Sequence, residues 1–421
     1  MTSEVLMLNK DAVVIAADSA VTTGRDPHPR YSKSANKIFD LSAHGNVALT
    51  IYSNADVDRV PWELALKIFR AKDSSSALRP QLEDYVNALI AFLSANNTLF
   101  PPAVRGSILD KRLFRAVVHV LNVAELTHPV FVDESATAVD RRAAWTSAKA
   151  SYETQLAGKQ RLGPLQDADV RLVEALRPAK QTEIAGLLPN DAKYQYADAV
   201  ELVDLACTAL VKDATAFLPS TGLVMAGYGA DQIFPSFWHI SVYGHIGDSL
   251  LWKKEHDYAI THDNDAWIQP FAQSSMINRF TDGFDDVLRS INSDCSLTMM
   301  NGVIQDLTAQ GIAIDPLVST PVIGKRHAAF MAEFQKRNWD ENFYPLRRVL
   351  NSLSVSEMGH LAESLLVLEA LRERVTSPSE SVGGPIDVAV ITKAEGLIWL
   401  KRKHFFDPEL NLKYLNRARK P

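Results

Sequence analysis

The start of the chain alternates between apolar blocks and a short polar turn. Residues 5–8 and 12–17 are apolar, and the polar residues Asn9, Lys10 and Asp11 separate them. Two such runs around a short polar turn predict a β-hairpin. The hairpin begins beside the second residue of the sequence, a threonine. Because chain termini usually fray, a terminus held in this way directs attention to the chemistry of its first residues.

Further patterns predict strands followed by a pair of helices. Apolar runs of strand length occur at residues 37–41 and 47–52. The polar stretch after the second run is typical of a helix N-terminus near Ser53. Apolar residues at helical spacing predict helices at 62–71 and 78–99.

The rest of the chain carries mixed signals and ends in a regular pattern. Residues 116–123 resemble a strand. Ser354 and Glu357, three residues apart, form a capping box that predicts a helix reaching about residue 374. The other predicted elements are helices at 140–156, 191–210 and 274–288 and strands at 222–229, 237–244, 386–392 and 397–401.

The composition narrows the functional classes. A net charge of -6 and a pI near 6.0 argue against a general binder of nucleic acid or of anionic membranes. No apolar run has the length needed to span a bilayer, and the N-terminus lacks a signal-peptide pattern. Cys207 and Cys295 form neither a disulfide framework nor a metal-binding spacing. We therefore expect a cytoplasmic protein without a metal or other cofactor.

Three residues near the N-terminus suggest nucleophilic catalysis. If the initiator Met1 is removed, Thr2 carries a hydroxyl beside a free α-amine. That amine titrates near pH 8, so part of it is neutral at physiological pH and can accept the hydroxyl proton. A lysine at position 37 would supply a fixed positive charge that lowers the proton affinity of the amine, and Asp18 would hold the lysine charged. The alternative is an ordinary ion pair between Asp18 and Lys37 beside an unstructured Thr2.

The arrangement of Thr2, Asp18 and Lys37 resembles the start of a proteasome β-subunit, a threonine-type N-terminal nucleophile (Ntn) hydrolase. The resemblance implies an α+β fold, a four-layer αββα sandwich of two antiparallel sheets. It also implies that Thr2, Asp18 and Lys37 are catalytic. Backbone N–H groups near Tyr52 and Ser53, where the family has glycines, would form the oxyanion hole.

The same resemblance assigns substrate-binding and supporting residues. Thr22 and Thr50 would contribute to substrate binding. The closing order of helix, loop, Gly383-Gly384, strand, turn and strand also follows the family. The remaining supporting candidates are Ser274, which takes the place of a family serine, and Glu380 and Ser381 just before the two glycines.

The resemblance divides the chain into a core and two insertions. The core is expected at residues 2–100, 217–288 and 352–421, with an insertion at 101–216 and a helical insertion at 289–351. The implied activity is amide hydrolysis of a peptide or protein substrate by a homo-oligomer, as a ring or stacked assembly. Because no Walker-type phosphate-binding motif occurs, any ATPase would be a separate partner. Two alternatives remain open: an inactive scaffold or assembly subunit of this fold, and a stand-alone Ntn amidase acting on small molecules.

Overall fold

The computed structural model describes residues 2–23, 30–42, 44–73, 78–133, 135–190, 194, 196–376, 382–404, 406–407 and 409–412. The strands are β1 (Ser3–Asn9), β2 (Ala12–Ala17), β3 (Val21–Thr23), β4 (Arg30–Ser32), β5 (Ile38–Asp40), β6 (Val47–Tyr52), β7 (Asp56–Val57), β8 (Val60–Pro61), β9 (Thr221–Gly227), β10 (Ser236–Ile246), β11 (Ser249–Ala259), β12 (Ala266–Ala272), β13 (Asp387–Thr392) and β14 (Gly396–Lys401). The helices are α1 (Trp62–Asp73), α2 (Leu82–Ala95), α3 (Pro102–Thr127), α4 (Ala138–Ala157), α5 (Asp167–Leu187), α6 (Ala199–Lys212), α7 (Ser275–Asp282), α8 (Asp286–Ala309), α9 (Pro316–Asn338), α10 (Tyr344–Ser352) and α11 (Val355–Thr376).

Two five-stranded antiparallel sheets form the centre of the molecule. The first has the order β12-β1-β2-β13-β14, and the second has the order β11-β10-β9-β6-β5. The first sheet thus joins the start of the chain to its last two strands. In its register, Glu4 lies opposite Ala17, and Ala17 lies opposite Asp387 on its other side.

Strand β1 is buried along its whole length, which explains its nearly continuous apolar sequence. Its side chains alternate between two clusters. Val5 and Met7 pack in a cluster that contains residues of α7, α10 and α11. Leu6 and Leu8 pack in a cluster that contains residues of β6 and β9 of the second sheet. One face of β1 therefore points toward the second sheet.

The second sheet packs on α1 and α2, and α3 to α6 form a core of their own. Trp62 of α1 and Leu89 of α2 are buried with Leu49 of β6 and Met225 of β9. The helices α3 to α6 share a separate apolar cluster, which Ile246 of β10 joins. No helix in the described ranges is long and apolar enough to cross a membrane.

The helices α8 and α9 differ from the others because they bury very little. No side chain of α9 is buried among those that the structure describes, and in α8 the buried residue is Ser296. Exposed apolar residues on α8 include Leu288, Ile291, Met299 and Val303.

Several elements differ from the sequence predictions. Residues 116–123, predicted as a strand, lie within α3, because the buried side chains Leu113, Ala116, Val120 and Ala124 follow helical rather than alternating spacing. The predicted helix 274–288 is two helices, α7 and α8, which are separated where Gly283 adopts φ 73°.

Candidate active site

The carboxylate of Asp18 is the centre of a buried polar cluster. Its Oδ1 accepts hydrogen bonds from the backbone N–H of Ser3 at 3.1 Å and from Lys37 Nζ at 2.5 Å. Its Oδ2 accepts from the backbone N–H of Gly383 at 2.8 Å and of Ala20 at 3.4 Å. The same Asp18 oxygen thus binds two donors, the N–H of the Thr2–Ser3 peptide and the ammonium of Lys37.

The register of the first hairpin delivers this arrangement. Glu4 pairs with Ala17, so Ser3 comes to lie beside Asp18, and the Asp18 N–H donates to the Ser3 carbonyl at 3.1 Å. Lys37 comes from the second sheet, immediately before β5, and its carbonyl accepts from the Ile51 N–H at 3.1 Å. The ion pair of Asp18 and Lys37 therefore connects the two sheets.

Thr2 and Lys37 both line one small cleft of about 80 Å³. Thr2 is only 6% exposed, and its carbonyl accepts a hydrogen bond from the Gln273 N–H at 2.8 Å, which continues the pairing of β1 with β12. The other lining residues are Val21, Ala35, Asn36, Ile51, Tyr52, Ser53, Asn54 and Ala55. Thr2 is thus held directly before β1 by pairing with the residue after β12, at the edge of this cleft.

The ion pair is withdrawn from solvent, since the exposed fraction is 4% for the Lys37 side chain and 1% for Asp18. Burial lowers the pKa of Lys37, whereas the negative charges of Asp18 and Glu4 act in the opposite direction. A buried ammonium held by a carboxylate is a fixed positive charge in a medium of low polarity, where charges act strongly on their neighbours.

The junction after β6 differs from the predicted helix start. A small hairpin of β7 and β8 follows Ser53, and the helix begins only at Trp62. Ser53 itself has φ 78°, a left-handed conformation that costs a non-glycine residue energy. Ser53 nevertheless lines the cleft.

Tyr52 fills the space beside this junction. Its hydroxyl lies 2.6 Å from Nε2 of His239, and its ring covers the backbone of Gly222. A Cβ at Gly222 would lie 2.1 Å from the ring, so glycine is needed for this approach. Burial raises the pKa of Tyr52 and lowers that of His239 to about 4, so both groups are neutral at pH 7.

The C-terminal glycines lie against the cluster. The Gly383 N–H donates to Asp18, as described above. Gly384 has φ 84° and lies against Lys33, so a Cβ added at position 384 would be 2.9 Å from the Cβ of Lys33. Glu380 and Ser381 lie outside the described residues. No contact with Asp18 or Thr2 can therefore be assigned to either of them.

The remaining predicted site residues occupy different places. The Ser274 hydroxyl accepts from Asn278 Nδ2 at 3.2 Å, one residue beyond the Gln273 N–H that binds Thr2. Thr50 is 1% exposed and is absent from the lining of the cleft. Thr22 lies in β3, but its side chain is outside the described part of the chain.

Sequence reasoning missed Glu4, whose side chain is fully buried in this cluster. Burial raises its pKa to about 8, against the opposing charge of Lys37 and the nearby hydroxyl of Thr50. A signal was present in the alternation of β1, because Glu4 occupies the same face as Leu6 and Leu8. A charged residue at an inward position of a buried strand needs a special environment.

Taken together, these groups can support nucleophilic chemistry without a metal. Thr2, which carries a hydroxyl, and Lys37 line one cleft, and the buried carboxylate of Asp18 binds the Lys37 ammonium. Within the described residues, no group of three or more His, Cys, Asp or Glu side chains could hold a metal ion.

Comparison with known proteins gives only remote structural similarity. No family model and no curated protein matches the sequence. Among solved structures, the helical assembly of the Anbu complex from Pseudomonas aeruginosa is similar with a TM-score of 0.32 and 10% identity, covering 99% of this chain and 92% of that chain. Anbu from Hyphomicrobium sp. strain MC1 has a TM-score of 0.28 and 11% identity, covering 99% of this chain and 95% of that chain. Anbu (ancestral beta-subunit) from Yersinia bercovieri has a TM-score of 0.26 and 9% identity, covering 100% of this chain and 98% of that chain. At such low TM-scores and identities, the similarity adds no weight to any assignment of fold or function.

Proposed function

We propose that this chain is a threonine-type Ntn hydrolase that cleaves amide bonds through an acyl-enzyme on Thr2. The observation that carries the proposal is the shared oxygen of Asp18, which binds both the Thr2–Ser3 peptide N–H and Lys37 Nζ. We further infer that the two sheets and their helices form the αββα sandwich of that class, with residues 101–216 and 289–351 inserted into it.

The reaction requires Thr2 to be the first residue, so Met1 must be removed. The Thr2 amine then takes the hydroxyl proton while Oγ attacks the amide carbonyl carbon. The C–N bond breaks, the amine passes the proton to the leaving nitrogen, and the acyl group stays on Oγ as an ester. Water attacks the ester by the same route, which releases the acid and restores the hydroxyl.

The charged groups act on this reaction from fixed positions. The Lys37 ammonium favours the neutral form of the Thr2 amine and the developing alkoxide, because like charges repel and opposite charges attract. Asp18 keeps Lys37 in place and charged. The backbone near Ser53 faces the same cleft and is the candidate for binding the oxyanion.

Covalent labelling tests the proposal directly. An α′,β′-epoxyketone peptide condenses with a hydroxyl and an adjacent free amine, so it reports an N-terminal threonine. We expect the protein to have lost Met1 and to gain one inhibitor mass. Thr2→Ala and Lys37→Met should abolish the adduct, whereas Thr127→Ala, at the distant end of α3, should label like the wild type.

The same experiment separates the inactive scaffold from the enzyme. A scaffold would keep Met1, or would lose it and remain unlabelled at every pH. Either result, obtained with protein that melts cooperatively, would refute the proposed activity.

The second candidate function is a stand-alone amidase for small molecules. Tyr52 lines the cleft, so the bulk of the acyl group that is accepted beside it separates this amidase from a peptidase of broad specificity. A panel of acyl-aminocoumarin substrates with acyl groups of increasing size distinguishes the two, since the amidase should lose kcat/KM steeply beyond the smallest groups.

Self-association is part of the proposal and is supported by α8 and α9. These helices expose a face of apolar residues, and they carry complementary charge, because α8 contains three Asp and one Arg whereas α9 contains four basic residues and one Glu. Two hairpins from two copies could bury these faces as a four-helix bundle, α8 against α9. A separate ATPase partner would be needed only if the substrate is a folded protein.

Light scattering after size exclusion tests this association. We expect the wild type to exceed the mass of one chain, and Met299→Asp with Val303→Asp to reduce it. Leu126→Asp, which changes an exposed apolar residue outside α8 and α9, serves as the control. A wild-type mass of one chain would refute the association without affecting the proposed chemistry.

A further inference from the structure

Glu4 is a buried carboxyl group that the proposed reaction does not use. Its side chain is fully buried, and among the described residues neither carboxylate oxygen meets a donor in good hydrogen-bond geometry. Burying such a group without a partner is costly, and natural proteins seldom keep one without a function.

The position of Glu4 places it under the candidate active site. Thr2 and Glu4 are two residues apart at the start of β1, so both belong to the face that points toward the second sheet. Thr50 of β6 faces Glu4 from that sheet, and its hydroxyl is near enough to lower the pKa of Glu4, although the two groups do not meet in good hydrogen-bond geometry. Glu4 is absent from the lining of the cleft, which means that a substrate does not reach it.

Three neighbouring elements place ionisable groups around Glu4. Asp18 follows the end of β2, Lys37 precedes β5, and the neutral Tyr52 is the last residue of β6. Strand β12 places the apolar Phe271 opposite Glu4. Lys403, which forms an ion pair with Asp387, adds a positive charge that acts on Lys37.

The charge balance of this cluster depends on Glu4. With Glu4 protonated, one carboxylate (Asp18) faces one ammonium (Lys37). With Glu4 ionised, two carboxylates face the same ammonium. The second state holds the proton on Lys37 more firmly, because a nearby negative charge favours the charged form of an amine.

Resting on the proposed function, we propose that Glu4 is a positioning residue that keeps Lys37 charged in alkaline solution by ionising beside it. Below neutral pH the carboxyl is protonated and leaves the balance of Asp18 and Lys37 undisturbed. As the pH rises, Glu4 loses its proton, and the new charge opposes the loss of the Lys37 proton.

Two pKa shifts agree with this coupling between Glu4 and Lys37. Burial raises the pKa of Glu4 to about 8, so its ionisation falls at the alkaline end of the physiological range. Burial also lowers the pKa of Lys37, and the charge of Glu4 is one of the influences that raise it again. Without that influence, Lys37 would lose its proton at a lower pH.

The experiment compares the rate of Thr2 labelling in wild type and Glu4→Gln from pH 5.5 to 10. We expect the two rates to agree within about twofold below pH 7, where Glu4 is neutral. The alkaline decline should begin at a lower pH in Glu4→Gln, by on the order of half a pH unit or more for a charge acting inside a protein. Glu357→Gln, which changes an exposed carboxyl of a helix cap, should retain the wild-type profile.

Other outcomes overturn the proposal. Identical profiles for wild type and Glu4→Gln would do so, and so would a uniform loss of rate at all pH values, which is what a purely structural role predicts. If Glu4→Gln does not fold, Glu4→Leu removes the same charge without burying an amide, and the same comparison applies.

A second measurement does not require activity. In protein labelled with ¹⁵N-lysine, the Nζ resonance of Lys37, assigned with Lys37→Arg, gives its pKa directly. We expect that pKa to fall in Glu4→Gln, and an unchanged value would overturn the role of Glu4. If the wild type is never labelled at Thr2, the proposed function fails while this measurement still decides the coupling of Glu4 and Lys37.

Discussion

Replacing Asp18 by asparagine tests whether the cluster is as tightly built as its geometry indicates. Asparagine has the same shape but only one acceptor oxygen, whereas the Asp18 carboxylate meets the donors of Ser3, Lys37, Gly383 and Ala20. The amide NH₂ would therefore face at least one N–H donor, and Lys37 would remain as a buried charge without its counterion.

The expected cost follows from burial. Removing one partner of a buried ion pair costs about 3–5 kcal/mol of unfolding free energy. Lys37→Met should cost less, about 1.5–3 kcal/mol, because the three backbone N–H groups still bind the Asp18 carboxylate. The double mutant Asp18→Asn/Lys37→Met buries neither charge of the pair. Its cost in unfolding free energy should therefore be smaller than the sum of the two single costs by roughly 1–3 kcal/mol.

Equilibrium urea unfolding at pH 7, followed by tryptophan fluorescence, measures all three variants. The pair of Lys67 and Glu63 provides the matched control, since it has the same separation of 2.5 Å but exposed side chains (65% and 40%). Its single variants should change the unfolding free energy by at most about 1 kcal/mol. If Asp18→Asn and Lys37→Met cost no more unfolding free energy than this control, or if their costs are simply additive in the double mutant, then Asp18 and Lys37 do not form a coupled buried ion pair.

Three further predictions concern the surroundings of the cleft. Ser53→Gly should raise the unfolding free energy by about 1 kcal/mol, because glycine adopts φ 78° without strain; a lower melting temperature would contradict this. Burial lowers the pKa of His239 to about 4, below the unfolded value near 6.5, so the contribution of His239 to stability should be constant above pH 6.5 and decline as the pH falls toward 4. His239→Gln should flatten that decline in thermal melts, and an equally steep decline would exclude His239 as its cause. Arg112→Met removes the guanidinium that binds Asp58 at 2.7 Å, where the Asp58 side chain is 1% exposed, and should cost about 3–5 kcal/mol in urea unfolding; a loss below that of a surface pair would refute the role.

The parts of the fold that depend on local patterns could be predicted from the sequence. The apolar runs at 12–17 and 47–52 coincide with β2 and β6, and the capping box of Ser354 and Glu357 opens α11, where the Ser354 N–H donates to Glu357 Oε2 at 2.8 Å. The structure also brings Asp18 and Lys37 together. That pairing was implied by the resemblance of Thr2, Asp18 and Lys37 to the start of a proteasome β-subunit, and no local pattern predicts it.

The parts that depend on distant contacts were not accessible. Strand β12 pairs with β1 from more than 250 residues away, and no local pattern announces the partner. Residues 116–123 contain several β-branched side chains, which favour a strand locally, but packing on α6 selects the helix. The catalytic roles of Thr2, Asp18 and Lys37 stay predictions until Thr2 is labelled.

The hydrogen bond from the Gly383 N–H to Asp18 joins residues 365 positions apart. During synthesis the chain emerges from the ribosome N-terminus first, so β2 must wait for β13 before its outer edge is paired. Thr2, Asp18 and Lys37 are therefore all translated early, but the set of donors on the Asp18 carboxylate is complete only after Gly383 has been made. A nascent chain that ends before Gly383 would leave Asp18 Oδ2 without this donor.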